Sequence, residues 1–358
     1  MNSLMRKRGL SALALAGSAG LLLAGCAAAP TTGTTASAST FRGCAVSDEG
    51  SWNDKSFNEA AHDGLIKAKK ELSIQTSDAE SKTTEAFKPN LDQMIAAKCD
   101  VTFAVGFNLI DPVNAAAVAN PKTNFVTIDG YVKEKTTTNL KAITYSMEQS
   151  SYLAGYLAAA YSTTKVVGTY GGMDIPAVTA FMDGFYYGAK AYEKDSGKPV
   201  TVLGRNPMAK TGDFTDPKTT FGDTEGAKSI SAGQLAKGAD VIFPVAGGLF
   251  SSTAQAIKDS GKPAVFIGVD KNVALTSPQY ADLVLTSVEK RMTQAVYDVI
   301  KDTKDNGFKS DAYVGTLKND GTGLSAFGSF DSKVSADIKA KLASLTTGIE
   351  DGSVKPLG

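Results

Sequence analysis

Short apolar runs alternate with amphipathic stretches of helical period along nearly the whole chain from Thr40 onward. CAVSD, DVTFAVG, NFVTIDG, VVGTYGG, ADVIFPVAGG and AVFIGVD are apolar almost without a break, so a strand formed by any of them has to be covered on both faces. Between the first two, FNEAAHDGLIKAKKEL places Phe57, Ala60, Ala61, Leu65, Ala68 and Leu72 on one helical face, and Ser56-x-x-Glu59 offers this helix a capping box. Further helical stretches fall around LDQMIAA, DPVNAAAVA, AVTAFMDGFYYGAKAYE, EGAKSISAGQLA, SSTAQAIKDS and MTQAVYDVIKD. Alternation of this kind builds parallel sheets with helices on both sides. It occurs here as two series, which predicts an α/β protein of two doubly wound parallel-sheet lobes joined by a hinge. We place the first crossover near Tyr145–Tyr152 and the return after Val269. The first lobe then takes residues 41–147 plus about 268–303, and the second 148–267 plus about 304–350. Ligands of such sheets sit at the carboxyl ends of the strands. The expected binding site is therefore the cleft between the lobes.

The N-terminal segment bears on the compartment. Arg6, Lys7 and Arg8 precede a charge-free apolar stretch from Gly9 to Gly25, which runs into Leu23-Ala24-Gly25-Cys26. That order reads as an export signal over residues 1–25. Its ending looks like a bacterial lipobox, whose cysteine becomes the new N-terminus and carries lipid. Cys26 is the expected lipidation site, and residues 26–40, small and polar, form a flexible tether. The expected location is the outer face of the cell membrane, held by lipid. Export puts Cys44 and Cys99 in an oxidising setting. Each opens a predicted strand, and the first and third strands of a doubly wound sheet are usually neighbours. A disulfide between them and a pair of buried thiols both fit. Removal of the signal leaves 34 basic against 37 acidic side chains, a net charge of −3, with no basic patch to attract nucleic acid.

Catalytic devices are scarce. The single histidine, His62, falls well inside the first predicted helix, a place suited to packing or surface. No Cys-x-x-Cys, His-Glu-x-x-His, Gly-x-Ser-x-Gly, phosphate-loop or dinucleotide fingerprint occurs. These absences argue against catalysis, and no metal or cofactor is expected. The richest polar segment is Ser47-Asp48-Glu49-Gly50-Ser51-Trp52-Asn53-Asp54-Lys55-Ser56-Phe57-Asn58, between the first strand and the first helix. Such loops carry binding residues in doubly wound folds.

Asn53-Asp54-Lys55-Ser56-Phe57-Asn58, followed by a helix with Gly64, resembles the signature of the Bmp/Med family of substrate-binding lipoproteins, which includes bacterial purine nucleoside receptors. Further similar motifs follow in order: Ala104-Val105-Gly106-Phe107, Phe125-Val126-Thr127-Ile128-Asp129, Ser151-Tyr152-Leu153-Ala154-Gly155, Gly171-Gly172-Met173 with Phe181-x-x-Gly184-Phe185-x-x-Gly188, Gly238-Ala239-Asp240-Val241-Ile242-Phe243, Ala246-Gly247-Gly248 and Gly268-Val269-Asp270. The resemblance covers Cys44 to about Ile300. It implies a type I periplasmic-binding-protein-like fold and a receptor for an ATP-driven ABC importer. The implied partners are a small-molecule ligand, permease and ATPase subunits, and the membrane through the anchor.

The resemblance also implies a site. A nucleoside presents a flat base, best held between two aromatic rings, each stack worth about 1–3 kcal/mol in nucleic-acid sites. The family's first ring falls on Phe57, and its second, from a Gly-x-Phe of the opposite lobe, falls on Phe214, with Phe221 as the competing position. Asn53 and Asp54 offer donors and acceptors to the base edge. Asp270 and then Asp129, each closing an apolar strand, are candidates to accept from ribose hydroxyls. Lys290 falls where the family has a ribose-contacting lysine, and Gly247 lets backbone approach the ligand. A simple sugar or a signalling molecule on the same fold is the alternative ligand.

Overall fold

The computed structural model describes residues 40–358; Cys26, the export signal and the tether as far as residue 39 lie outside the described residues. The apolar runs form strands and the amphipathic stretches form helices. In the first series β1 (Arg42–Ser47), β2 (Gln75–Ala79), β3 (Val101–Val105), β4 (Asn124–Ile128) and β5 (Leu140–Tyr145) are linked through α1 (Phe57–Leu72), α2 (Phe87–Ala96) and α3 (Ile110–Ala119). After α4 (Met147–Tyr161), the second series runs β6 (Val166–Gly171), α5 (Pro176–Ser196) and β7 (Thr201–Leu203). It continues through the short ribbon of β8 (Arg205–Asn206) and β9 (Thr211–Gly212), then α6 (Thr224–Ala236), β10 (Val241–Val245), α7 (Phe250–Ser260), β11 (Val265–Asp270), α8 (Val273–Thr276) and β12 (Val284–Lys290). The chain ends with α9 (Met292–Asn306), β13 (Tyr313–Gly315), β14 (Thr322–Leu324) and α10 (Ala336–Glu350).

Two six-stranded sheets result, in the orders β13-β5-β4-β3-β1-β2 and β14-β12-β11-β10-β6-β7. Every pair is parallel except β12 with β14. Helices cover both faces of each sheet, which is why β3, β10 and β11 are buried along their whole length. The first sheet packs against residues of α1 and α9 on one side and of α2 and α3 on the other. The second packs against α4, α5 and α10 on one side and α6 and α7 on the other. The small residues of the α4 and α5 motifs let these helices touch backbone to backbone: a Cβ on Gly155 would lie 2.0 Å from the carbonyl oxygen of Phe185.

Two expectations change. The return to the first lobe comes after Lys290, and not near residue 268, because β11 pairs with β10 and β12 with β11 in the second sheet. Strand periodicity tells which faces are covered, not which sheet a strand joins. Beyond Lys290, α9 packs beside α1, where Thr293 Oγ1 donates to the Ala60 carbonyl at 2.7 Å. The final stretch is divided: β13 joins the first sheet, while β14 and α10 belong with the second. The expected capping box of α1 does not form either. Asp54 caps that helix, and Ser56 turns toward the second sheet. Cys44 of β1 and Cys99, just ahead of β3, are joined in a buried disulfide with Cα atoms 6.0 Å apart, the adjacent strands bringing them together.

Candidate functional site

Both sheets run second-first-third-fourth-fifth within their series, so the strand order reverses between β1 and β3 and again between β6 and β10. A crevice opens outside the carboxyl ends at such a switch point. Here the two crevices face each other and enclose a cavity of about 250 Å³. Its wall includes Asp54, Phe57, Asp129, Gly247, Asp270 and Lys290 of the residues anticipated from sequence.

The β1–α1 loop supplies the first wall. The Asp54 carboxylate accepts from the backbone N–H groups of Ser56 (2.8 Å), Asn58 (2.9 Å) and Glu59 (3.1 Å) and from Asn58 Nδ2 (3.3 Å). Burial raises its pKa, opposed by those donors. Four donors fill the acceptor capacity of a carboxylate, so Asp54 holds the loop and starts α1, and is not the free base-edge acceptor expected. Asn53 is exposed and outside the cavity wall, with Lys55 Nζ 3.5 Å from its Oδ1. Phe57, the first residue of α1, stands in the wall.

The opposite aromatic wall is Phe221, not Phe214. The backbone of Phe214 bridges Gly171 at the end of β6, flanked by Gly171 N donating to Asp213 O (2.9 Å) and Thr215 N donating to Gly171 O (3.0 Å). Stitched there, its ring packs over Gly171 and Gly212 against the second lobe's core. Phe221 lies in a single turn of 3₁₀ helix, Thr220–Gly222, and rests on Gly172, where a Cβ would come within 2.2 Å of its ring. A lone turn has no periodicity to read. Gly247, at φ 54°, begins the turn after β10 beside the same ring.

Asp129, Asp270 and Lys290 form the inner end, next to the crossover. Asp129 follows β4 and Asp270 closes β11, both in the left-handed region at φ 59° and 66°. Lys290 is 3% exposed. Its Nζ lies 2.5 Å from Asp129 Oδ2 and 5.1, 5.3 and 5.5 Å from the ring centres of Phe57, Phe181 and Tyr145. The ammonium thus trades hydration for one carboxylate and three π faces. Asp270 accepts from Ser56 Oγ at 2.6 Å. Burial pushes its pKa up to about 6, against the pull of Lys290 and Ser56.

The wall residues not anticipated as ligand contacts include Phe181 and Asp48. Asp48, just past β1, is 9% exposed and lies in the cavity wall. Its Oδ1 accepts from Gly50 N (3.1 Å) and Asn58 Nδ2 (3.0 Å), and Gly106 makes room for Oδ2, since a Cβ there would lie 2.2 Å away. Burial raises its pKa to about 7, against those hydrogen bonds. The signal was present: Asp48 ends an apolar run as Asp129 and Asp270 do. His62 stands outside the cavity wall, stacked on Trp52 at 4.8 Å with Nε2 3.6 Å from Asp78.

Two doubly wound sheets closing on one polar and aromatic cavity define a solute-binding protein of the type I periplasmic-binding fold. The family model described as ABC transporter substrate-binding protein, PnrA-like (Bmp), matches residues 41–345, and the chain belongs to this family. Its similar relatives include the ABC transporter nucleoside-binding protein BmpA of Lactococcus lactis, 29% identical over 368 residues covering 98% of this chain and 99% of that one. Another is an uncharacterized lipoprotein of Pyrococcus abyssi, 33% identical over 335 residues covering 89% and 77%. Among solved structures, an ABC transporter solute-binding protein from Aeropyrum pernix superposes with a TM-score of 0.75 at 23% identity, covering 88% of this chain and 92% of that one. At that identity it speaks for the fold.

Proposed function

We propose that this substrate-binding protein is a lipid-anchored receptor that takes a purine nucleoside into the interlobe cavity and passes it to an ABC importer. The observation that carries the reading is Phe57 and Phe221, from opposite lobes, lining one cavity whose inner end holds Asp129, Asp270 and Lys290. Rings on both walls suit a flat base, which offers two π faces. The inner carboxylates suit vicinal hydroxyls, which donate in pairs, and Lys290 can donate to a ring or hydroxyl oxygen. Asp48 sits where a base edge would lie, and a carboxyl with a pKa of about 7 can either accept from a ring N–H or donate to a ring nitrogen. The volume of about 250 Å³ lies just below the roughly 300–1,000 Å³ usual for ligand clefts, which limits the ligand to a small molecule. Rings from both lobes suit a base, whose two faces are both π surfaces, and so favour the nucleoside over a sugar. The relative named as nucleoside-binding matches almost end to end. Relatives named lipoproteins or basic membrane proteins support the anchor at Cys26 on the outer face of the membrane. The protein acts by capture and release, without chemical turnover.

A thermal-shift screen of nucleosides, free bases and sugars tests this. Purine nucleosides are expected to raise the Tm in a dose-dependent way, by mass action on the folded state. A screen in which only sugars do so overturns the nucleoside assignment.

A further inference from the structure

The cavity has a second compartment. On the side away from the crossover it adjoins an open surface groove of about 720 Å³, and Glu49, Asn108, Met173 and Thr219 line both. These four residues form a neck with two of them from each lobe. Glu49 and Asn108 are paired, Asn108 Nδ2 lying 3.2 and 3.3 Å from the two carboxylate oxygens. Met173 faces them with an unbranched side chain that yields to the shape of what passes. Beyond the neck Pro112 and Pro217 add apolar surface, Lys82 and Lys218 stand beside them, and Thr83 and Thr84 form the exposed edge.

The position of this neck fixes which end of a ligand would meet it. In the first sheet β4, which carries Asp129, is separated from β1 by β3. Two strand spacings amount to about 10 Å. The hydroxyl-gripping residues lie at the β4 and β11 end, and Asp48 and Glu49 lie at the β1 end. A nucleoside with its ribose at Asp129, Asp270 and Lys290 and its base between Phe57 and Phe221 points the far edge of the base at the neck.

Resting on the nucleoside reading, we propose that the site accepts purine nucleosides bearing a substituent on the exocyclic amine of the base, with that substituent housed in the outer compartment. The nitrogen of such a ligand sits at Glu49 and Asn108, where a remaining N–H can donate to the carboxylate. The substituent, neutral and apolar, lies against Met173, Pro112 and Pro217. A pocket closed around the base edge would reject any such group by steric clash; this one continues.

Calorimetric titration of the full chain in detergent tests the assignment with adenosine against N6-benzyladenosine and guanosine against N2-benzylguanosine. For the nucleoside that binds, the benzylated form is expected within tenfold of its parent. Thr84→Trp, which fills the outer compartment alone, is expected to weaken the benzylated ligand at least tenfold and to leave the parent within twofold. Thr83→Trp serves the same end if Thr84→Trp lowers the Tm. A benzylated form bound more than tenfold more weakly than its parent, or a tryptophan variant that treats both alike, overturns the proposal and leaves nucleoside binding intact. Failure of every parent nucleoside to bind overturns the nucleoside reading itself.

Discussion

Three strands of this chain deliver a carboxylate to the same cavity: β1 through Asp48, β4 through Asp129 and β11 through Asp270. An apolar strand that ends in a polar cleft carries its last side chains into a poorly hydrated place, and desolvation favours the neutral acid. Hence Asp48 is raised to about 7 and Asp270 to about 6. Below about pH 4 the Asp48 carboxyl is protonated in folded and unfolded chains alike. As the pH rises toward 7 the unfolded chain releases its proton first, so the stability contributed by the buried neutral form is lost across that window. Asp48→Asn, neutral at every pH, is expected to gain stability relative to the parent between pH 4 and pH 7. Tm measured in ligand-free protein across that range checks it, and a difference that does not change with pH contradicts it. Asp129 and Asp270 were legible in the sequence as ends of apolar runs, and Phe57 and Lys290 through the family motif. Phe221 was legible only as the competitor of Phe214, because a ring in an isolated turn and a ring stitched to a strand edge, as Phe214 is, look the same as Gly-x-Phe or Thr-x-Phe in one dimension. Asn53 failed for a related reason: its loop position was legible, its outward orientation was not.

At the level of elements, the strands and helices follow the apolar periodicity because the central strands of both sheets are covered on both faces and most helices on one. What periodicity withholds is pairing. β11 and β12 read as strands in the sequence, yet only the pairing of β11 with β10, at Val241↔Val265 and Ile242↔Phe266, and of β12 with β11 assigns them to the second sheet. The start of α1 shows a similar limit: both Ser56 and Asp54 are capping residues by type, and the structure gives the cap to Asp54 because Ser56 Oγ is engaged by Asp270. That cap sets the direction in which Phe57 leaves the loop. Asp54→Ala is expected to cost about 0.5–2 kcal/mol in urea denaturation, the value of a lost cap, and to weaken ligand binding although its carboxylate is used up within the protein. Unchanged affinity in a measurably destabilised variant would separate the cap from the site.

The two sheets share one strand order and meet through a few polar contacts, with Lys290 on Asp129, Ser56 on Asp270, and Lys271 Nζ 2.7 Å from both Glu59 and Asp63. The wall of the cavity is shared between lobes, so ligand contacts on both sides favour the closed arrangement. Anchoring belongs to this scale too. Cys26→Ser is expected to move the protein from the membrane fraction to the medium, and continued membrane retention would rule out the lipid anchor. The account rests most heavily on one ligand held between two rings. Calorimetric titration of Phe57→Ala, Phe221→Ala and Phe214→Ala with a purine nucleoside measures that directly. Loss of one stack, about 1–3 kcal/mol, predicts affinities about 5- to 150-fold weaker for the first two variants and unchanged for Phe214→Ala. Phe57→Ala or Phe221→Ala binding as tightly as the parent, or Phe214→Ala weakening as they do while remaining folded, would contradict it.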